Sequence, residues 1–130
     1  MKQSIAGIIF KNNTFLIGHR LPTGEMGNRW EFPGGKVDGE ETPKRAILRE
    51  FREEMGIEVT IGEQIAAVEF TNKNGVSALL AYQVFIPENA EIILTEHSEL
   101  KWATMTEIES LSFVDSDRLL FPYIQKWCEK

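Results

Sequence analysis

The segment TPKRAILREFREEMG, from Thr42 to Gly56, carries the start and stop signals of an α-helix at its two ends. Thr42 is a residue type that caps helix N-termini, and Pro43 suits the first helical position because its missing N–H needs no partner there. Gly56 is typical of the residue that follows a helix, because glycine adopts left-handed backbone angles without strain. Apolar residues fall on one arc of this helix, which predicts that one face packs on a sheet. They are Ile47, Leu48, Phe51 and Met55.

The same helix carries three glutamates near its C-terminus, where negative charge is unfavourable. Glu50 lies three and four residues before Glu53 and Glu54, so the carboxylates repel one another, and the helix end itself carries partial negative charge. Each effect costs only a few tenths of a kcal/mol. One interpretation is an ion-paired, solvated surface, because Arg49 lies four residues before Glu53. The other is a site for Mg²⁺ or Mn²⁺, which prefer oxygen ligands.

The residues upstream favour the metal interpretation. The turn Gly34-Gly35 lets bare backbone approach a ligand, and Lys36 adds a positive charge beside it. A cation site, a glycine turn and a basic group together indicate phosphate chemistry, in which a metal orients water and neutralises charge on phosphoryl oxygens.

The segments around the helix have the composition of β-strands and turns. They predict two hairpins, a last strand and a C-terminal helix, which together indicate a single α/β domain over residues 1–130 with a mixed sheet covered by helices. The segments are Ser4 to Arg20 with a turn at Asn12-Asn13, 57–87 with a turn at Asn74-Gly75, 98–105, and 115–130.

Composition limits the location and the partners. The formal net charge of -6, with no Lys/Arg block, argues against stable nucleic-acid binding. The single cysteine, Cys128, cannot form an internal disulfide, and only His19 and His97 are available for zinc, which favours a reducing environment. No apolar run approaches the roughly 20 residues of a membrane span, and the N-terminal run is too short for a signal peptide. We expect a cytoplasmic monomer or homodimer without membrane contact.

The run GKVDGEETPKRAILREFREEMGI, from Gly35 to Ile57, resembles the Nudix box and matches each of its fixed positions. The resemblance implies the Nudix fold, an α/β/α sandwich with a mixed β-sheet and a loop-helix-loop motif. It also implies a hydrolase that uses Mg²⁺ or Mn²⁺ and water to cut a phosphoanhydride in a nucleoside diphosphate linked to another group.

The resemblance assigns a ligand set within the box. Glu50, Glu53 and Glu54 would bind the metal, and the carbonyl of Gly35 would be a further ligand. Either Glu53 or Glu54 would instead serve as the general base.

Other residues take supporting roles by the same resemblance. Arg49 would orient the glutamates, Glu41 would hold the loop before the helix, and Gly56 would end the helix. A further catalytic carboxylate is expected in the loop TEHSELKW, where Glu99 is favoured over Glu96 and solvated surface is the alternative for both. His97 in that loop is expected to be a bystander.

The stretch RWEFPGGKV is similar to MutT-type and CTP-pyrophosphohydrolase-type members, which convert nucleoside triphosphates to monophosphate and pyrophosphate. By that similarity Arg20 and Lys36 would bind phosphate, although an ordinary surface role for Arg20 stays open. Asp117 is the candidate for base recognition, although a helix-capping role for it stays open, and Asp115 or Ser116 is expected to cap the last helix. Oxidised dGTP and CTP or dCTP are the expected substrates. ADP-ribose hydrolysis and non-catalytic nucleotide binding are the alternatives.

Overall fold

A computed structural model describes residues 1–129 as eight strands and four helices. The strands are β1 (Lys2–Ile8), β2 (Phe10–Lys11), β3 (Thr14–Arg20), β4 (Trp30–Glu31), β5 (Gly34–Lys36), β6 (Thr60–Asn72), β7 (Gly75–Phe85) and β8 (His97–Ala103). The helices are α1 (Pro43–Met55), α2 (Met105–Ser110), α3 (Asp115–Arg118) and α4 (Phe121–Cys128). No helix in the described range is both long and apolar enough to cross a membrane.

The strands form two sheets. The first has the order β5-β1-β7-β6, in which β1 and β7 run parallel and the other pairs run antiparallel. In the second, β3 pairs antiparallel with β2, β4 and β8. The predicted α/β fold with a mixed sheet is therefore confirmed.

The predicted hairpin over Ser4 to Arg20 is only partly correct. Phe10–Lys11 and Thr14–Arg20 do pair around Asn12 and Asn13, whose φ angles are 52° and 62°. β1, however, lies between β5 and β7 in the other sheet. Its end is a continuous buried run, as expected of a strand covered on both faces, so the composition predicted a strand but not its partner.

The helix α1 confirms the prediction at both ends. The side chain of Thr42 accepts a hydrogen bond from the amide of Arg45 at 3.2 Å, and Gly56 ends the helix in the left-handed conformation at φ 67°. On the buried face, Phe51 lies so close to β1 that a Cβ on Gly7 would come within 2.6 Å of its ring. This contact fixes the helix above the sheet and sets the direction of the glutamate face.

The C-terminal region differs from the prediction. An additional short helix, α2, begins at a capping box in which Thr104 and Glu107 bond to each other's backbone amides. The predicted tail helix is divided into α3 and α4, with Pro122 in the first turn of α4.

Capping by Asp115 or Ser116 is wrong, because α3 begins after Val114 without a side-chain cap. Asp115 instead pairs with Arg29 at 2.8 Å. The β6–β7 hairpin is confirmed, although its turn lies at Lys73-Asn74, one residue before the predicted position.

Candidate active site

A cavity of about 450 Å³ opens between β1, β4, β5, α1 and α3. Its titratable lining is mostly acidic, so an occupant that carries phosphate needs compensating cations there. The carboxylates are Glu31, Glu50, Glu53, Glu54, Glu96 and Asp117, and the cations are Arg20 and Lys36.

Arg49 joins the glutamate face of α1 to the loop that precedes the helix. Its guanidinium donates to both carboxylate oxygens of Glu41 at 2.8 and 2.9 Å and to the carbonyl of Lys36 at 2.8 Å. It also donates to Glu50 at 2.9 Å and to Glu53 at 3.1 Å. One cation therefore offsets much of the repulsion that the sequence placed on this helix.

Glu41 binds Arg49 and also holds the turn of that loop. One of its oxygens accepts from the amide of Asp38 at 3.1 Å. The hydrogen bonds from Arg49, followed by that amide, lower the pKa of Glu41 to about 2, so it stays ionised near neutral pH.

Gly35 gives the Glu50 carboxylate its space. A Cβ at Gly35 would lie 2.5 Å from the carboxyl carbon of Glu50, so any larger residue would displace that side chain. Burial raises the pKa of Glu50, although Arg49 opposes the rise. The backbone of β5 and a partly desolvated carboxylate thus share one corner of the cavity.

Glu54 is 3% exposed, and its Oε2 atom has no hydrogen-bond partner among the described residues. Burial first, and then the charges of Glu50, Glu31 and Glu96, raise the pKa of Glu54 to about 9. A buried carboxylate oxygen with no donor is costly unless a cation or proton joins it. The free oxygen, the neighbouring carboxylates and the bare glycine backbone fit a divalent cation.

The loop before β8 is fastened to the C-terminal end of α1. The Thr95 hydroxyl donates to the carbonyl of Glu53 at 2.7 Å, and the amide of Ile93 donates to the carbonyl of Met55 at 3.0 Å. These bonds satisfy carbonyls that a helix end leaves open, and they hold Glu96 at the cavity wall.

Glu99 lies elsewhere. It is exposed on β8, paired with His19, and is not part of the cavity lining. The structure therefore brings Glu96, and not the favoured Glu99, to the other glutamates. The preference rested on spacing from Trp102, but Glu99 falls inside the strand, whereas Glu96 precedes it.

Glu31 and His97 form a pair that the sequence did not indicate. His97 is buried rather than in a polar surface loop, and its Nε2 lies 2.8 Å from Oε2 of Glu31. The other oxygen of Glu31 accepts from Arg20 at 3.0 Å. Glu31, Glu54 and His97 each offer a ligand atom, and these atoms lie within 4.8 Å of one another. The alternation of apolar and polar residues at Trp30, Glu31 and Phe32 is a weak signal that Glu31 differs from its neighbours.

Asp117 closes the cavity on the α3 side. It is 7% exposed, and one of its oxygens accepts from the amide of Phe32 at 2.9 Å. Burial, and then the charge of Glu31, raise its pKa to about 7, while the Phe32 amide and Arg20 oppose the rise. Lys36 is exposed and also lines the cavity.

Comparison with known proteins identifies relatives along nearly the whole chain. Residues 1–124 match the family profile described as NUDIX domain. The chain is 36% identical over 121 residues to a protein of Mycobacterium tuberculosis named putative 8-oxo-dGTP diphosphatase 2, covering 88% of this chain and 81% of that protein. It is 33% identical over 108 residues to the CTP pyrophosphohydrolase of Escherichia coli, covering 82% and 78%.

Comparison with solved structures gives the same result. The solution structure of the E. coli ORF135 protein superposes with a TM-score of 0.84 at 29% identity, covering 97% of this chain and 89% of that one. A MutT protein of Methanosarcina mazei Go1 also gives 0.84, at 23% identity, which supports the fold alone.

Proposed function

The chain belongs to the NUDIX family, and from that premise we propose that it hydrolyses nucleoside triphosphates to the monophosphate and pyrophosphate with Mg²⁺ or Mn²⁺. The observation that carries the proposal is the cavity in which the α1 carboxylates face Arg20 and Lys36. A cavity that holds both carboxylates, which can bind a divalent cation, and basic side chains, which can bind phosphate, suits a polyphosphate that enters with its metal.

The proposed metal ligands are Glu50, Glu54 and the carbonyl of Gly35, and Glu53 is the member of the predicted set that is free to act as the general base. When bound, the cation would neutralise charge on the phosphoryl oxygens and lower the pKa of a bound water. The free oxygen of Glu54 and the steric match between Gly35 and Glu50 support this set. Arg49 holds Glu50 and Glu53 in place, so its proposed role is to position them.

We assign the general base to Glu53 rather than Glu54. The Glu53 side chain is 58% exposed, so it can accept a proton from water that enters the cavity, whereas Glu54 is buried with an oxygen free for a cation. We propose Glu96, in place of Glu99, as the further carboxylate from the loop before β8, because only Glu96 reaches the cavity.

Arg20 and Lys36 would bind the phosphates, and Asp117 would face the base. An aspartate oxygen accepts hydrogen bonds from exocyclic amino groups, which suits cytosine, adenine or guanine. The names of the relatives, an 8-oxo-dGTP diphosphatase and a CTP pyrophosphohydrolase, support oxidised dGTP and CTP or dCTP as the substrates to test first.

Incubation with a nucleotide panel and Mg²⁺, followed by chromatography of the products, tests the proposal. We expect monophosphate and pyrophosphate. Release of orthophosphate only, or no cleavage of any triphosphate, would contradict it. Cleavage of ADP-ribose alone would move the chain to the alternative class, and nucleotide binding without turnover would support a non-catalytic module. The cytoplasmic location, the absence of stable nucleic-acid binding and the monomeric or homodimeric state stay predictions.

A further inference from the structure

Glu31 contacts the cation Arg20 on one side and lies beside the carboxylate of Glu54 on the other. Its side chain is 15% exposed, and each of its oxygens has a polar partner. Oε1 accepts from Arg20 at 3.0 Å, and Oε2 lies 2.8 Å from Nε2 of His97. Glu54, in the same cluster, differs because its Oε2 has no partner in the described part of the chain.

His97 is built into the fold as a donor. Its side chain is fully buried behind Glu31, and β3 makes room for it at Gly18, where a Cβ would lie 2.6 Å from the imidazole ring. Within residues 1–129, Nδ1 of His97 has no hydrogen-bond partner. A proton on Nδ1 would therefore be buried without an acceptor, so the neutral ring carries its proton on Nε2 and donates it to Glu31.

Arg20 is held at two points. Its Nη1 binds Glu31, and its Nε donates to the carbonyl of Met26 in the loop after β3 at 3.1 Å. The side chain is 37% exposed, so it reaches the cavity but has the freedom to leave it unless both points hold.

We propose that His97 and Glu31 are positioning residues that hold Arg20 toward the substrate phosphates, and that Glu31 and His97 are not metal ligands even though they lie beside Glu54. The proposal rests on the proposed function, because it takes Arg20 as a phosphate contact. The directions of the hydrogen bonds carry it: a fixed donor from His97 orients Glu31, and Glu31 orients the guanidinium.

Steady-state kinetics of His97→Leu test whether His97 acts on Arg20 through Glu31. Loss of the donor raises KM for the best triphosphate roughly tenfold, the size of one hydrogen bond to a charged group, while kcat stays within about threefold. His97→Gln places an amide N–H near the position of Nε2 and restores KM. In an Arg20→Ala background, His97→Leu adds no further change. The matched control is Arg29→Ala, which removes an arginine of similar exposure paired with Asp115, outside this cavity, and leaves KM unchanged.

Metal binding gives an independent readout. Isothermal titration with Mn²⁺ alone gives the same affinity for the wild type and for His97→Leu if His97 is a positioning residue. A fall of tenfold or more identifies His97 as a ligand and overturns the proposal. Additive effects of His97→Leu and Arg20→Ala on KM overturn it as well.

Two further measurements cover the remaining outcomes. If His97→Leu does not fold, Glu31→Gln takes its place, because an amide cannot accept from both donors, and the same rise in KM is expected. If the wild type cleaves no triphosphate, the proposed function fails, but the ¹⁵N–¹H heteronuclear NOE of Arg20 Nε, assigned by its loss in Arg20→Lys, still decides the inference. This NOE falls in His97→Leu and recovers in His97→Gln if the chain of contacts holds Arg20. An unchanged value refutes it.

Discussion

Asp117→Asn changes how the stability of the metal-free protein depends on pH. In the wild type, burial and the nearby charge of Glu31 raise the pKa of Asp117 from 3.8 to about 7. The folded protein therefore favours the protonated carboxyl more strongly than the unfolded chain does. Asparagine stays neutral at every pH, and its carbonyl oxygen can accept the same hydrogen bond from the amide of Phe32.

Proton linkage fixes the direction in which the free energy of unfolding changes with pH. A folded-state pKa above the unfolded value contributes stability that is complete below pH 4 and is lost as the pH rises through 7. A rise from 3.8 to about 7 corresponds to a contribution of about 4 kcal/mol. Between pH 4 and pH 8, the free energy of unfolding of Asp117→Asn should thus rise by up to about 4 kcal/mol relative to the wild type.

Urea unfolding in EDTA, followed by tryptophan fluorescence at pH 4, 6 and 8, measures this difference. Other buried carboxylates titrate in both proteins, so only the difference between the two curves reports Asp117. Asp115→Asn is the control, because Asp115 is two residues away but exposed and paired with Arg29, and we expect a constant difference from the wild type. Parallel pH curves for Asp117→Asn and the wild type would refute the burial argument.

Three more predictions concern the metal side of the cavity. Glu53→Gln should lower kcat at least a hundredfold in the pyrophosphate-release assay with little change in the midpoint of thermal unfolding, since its side chain is half-exposed; a loss under tenfold would exclude it as the base. Arg49→Ala should reduce the free energy of unfolding by about 1–3 kcal/mol in urea, because it leaves Glu41 and the helix carboxylates without their shared donor, and Arg49→Lys should not restore it; full recovery by lysine would mean that charge alone matters. Gly35→Ala should weaken Mn²⁺ binding at least tenfold by calorimetry, because the added Cβ collides with the Glu50 carboxylate, while the circular dichroism spectrum stays unchanged. An unchanged affinity would show that Glu50 can move aside without loss of metal binding.

Features encoded within a few residues were predictable from the sequence. The start and end of α1 depend on Thr42, Pro43 and Gly56, and the structure has all three in the expected positions. The arc of glutamates follows from helix geometry alone, which is why the acidic wall of the cavity could be predicted before the fold was known.

Features that depend on pairing between distant segments were not predictable. Asp117 accepts from an amide 85 positions away, and Glu31 is 66 positions from His97. Whether Glu96 or Glu99 reaches the cavity depends on where β8 begins and on its register with β3, which spacing along the chain does not fix. β1 shows the same limit, because a buried apolar run does not reveal which sheet it joins.

The bonds of Arg49 to both Glu41 and the carbonyl of Lys36 have a consequence for the length of the loop between β5 and α1. An insertion or deletion there would carry Glu41 away from the guanidinium and leave a half-buried cation facing the wrong atoms. Variation in the length of the loop before α1 should therefore be excluded, which makes residues 35–56 a unit that can only be transplanted whole.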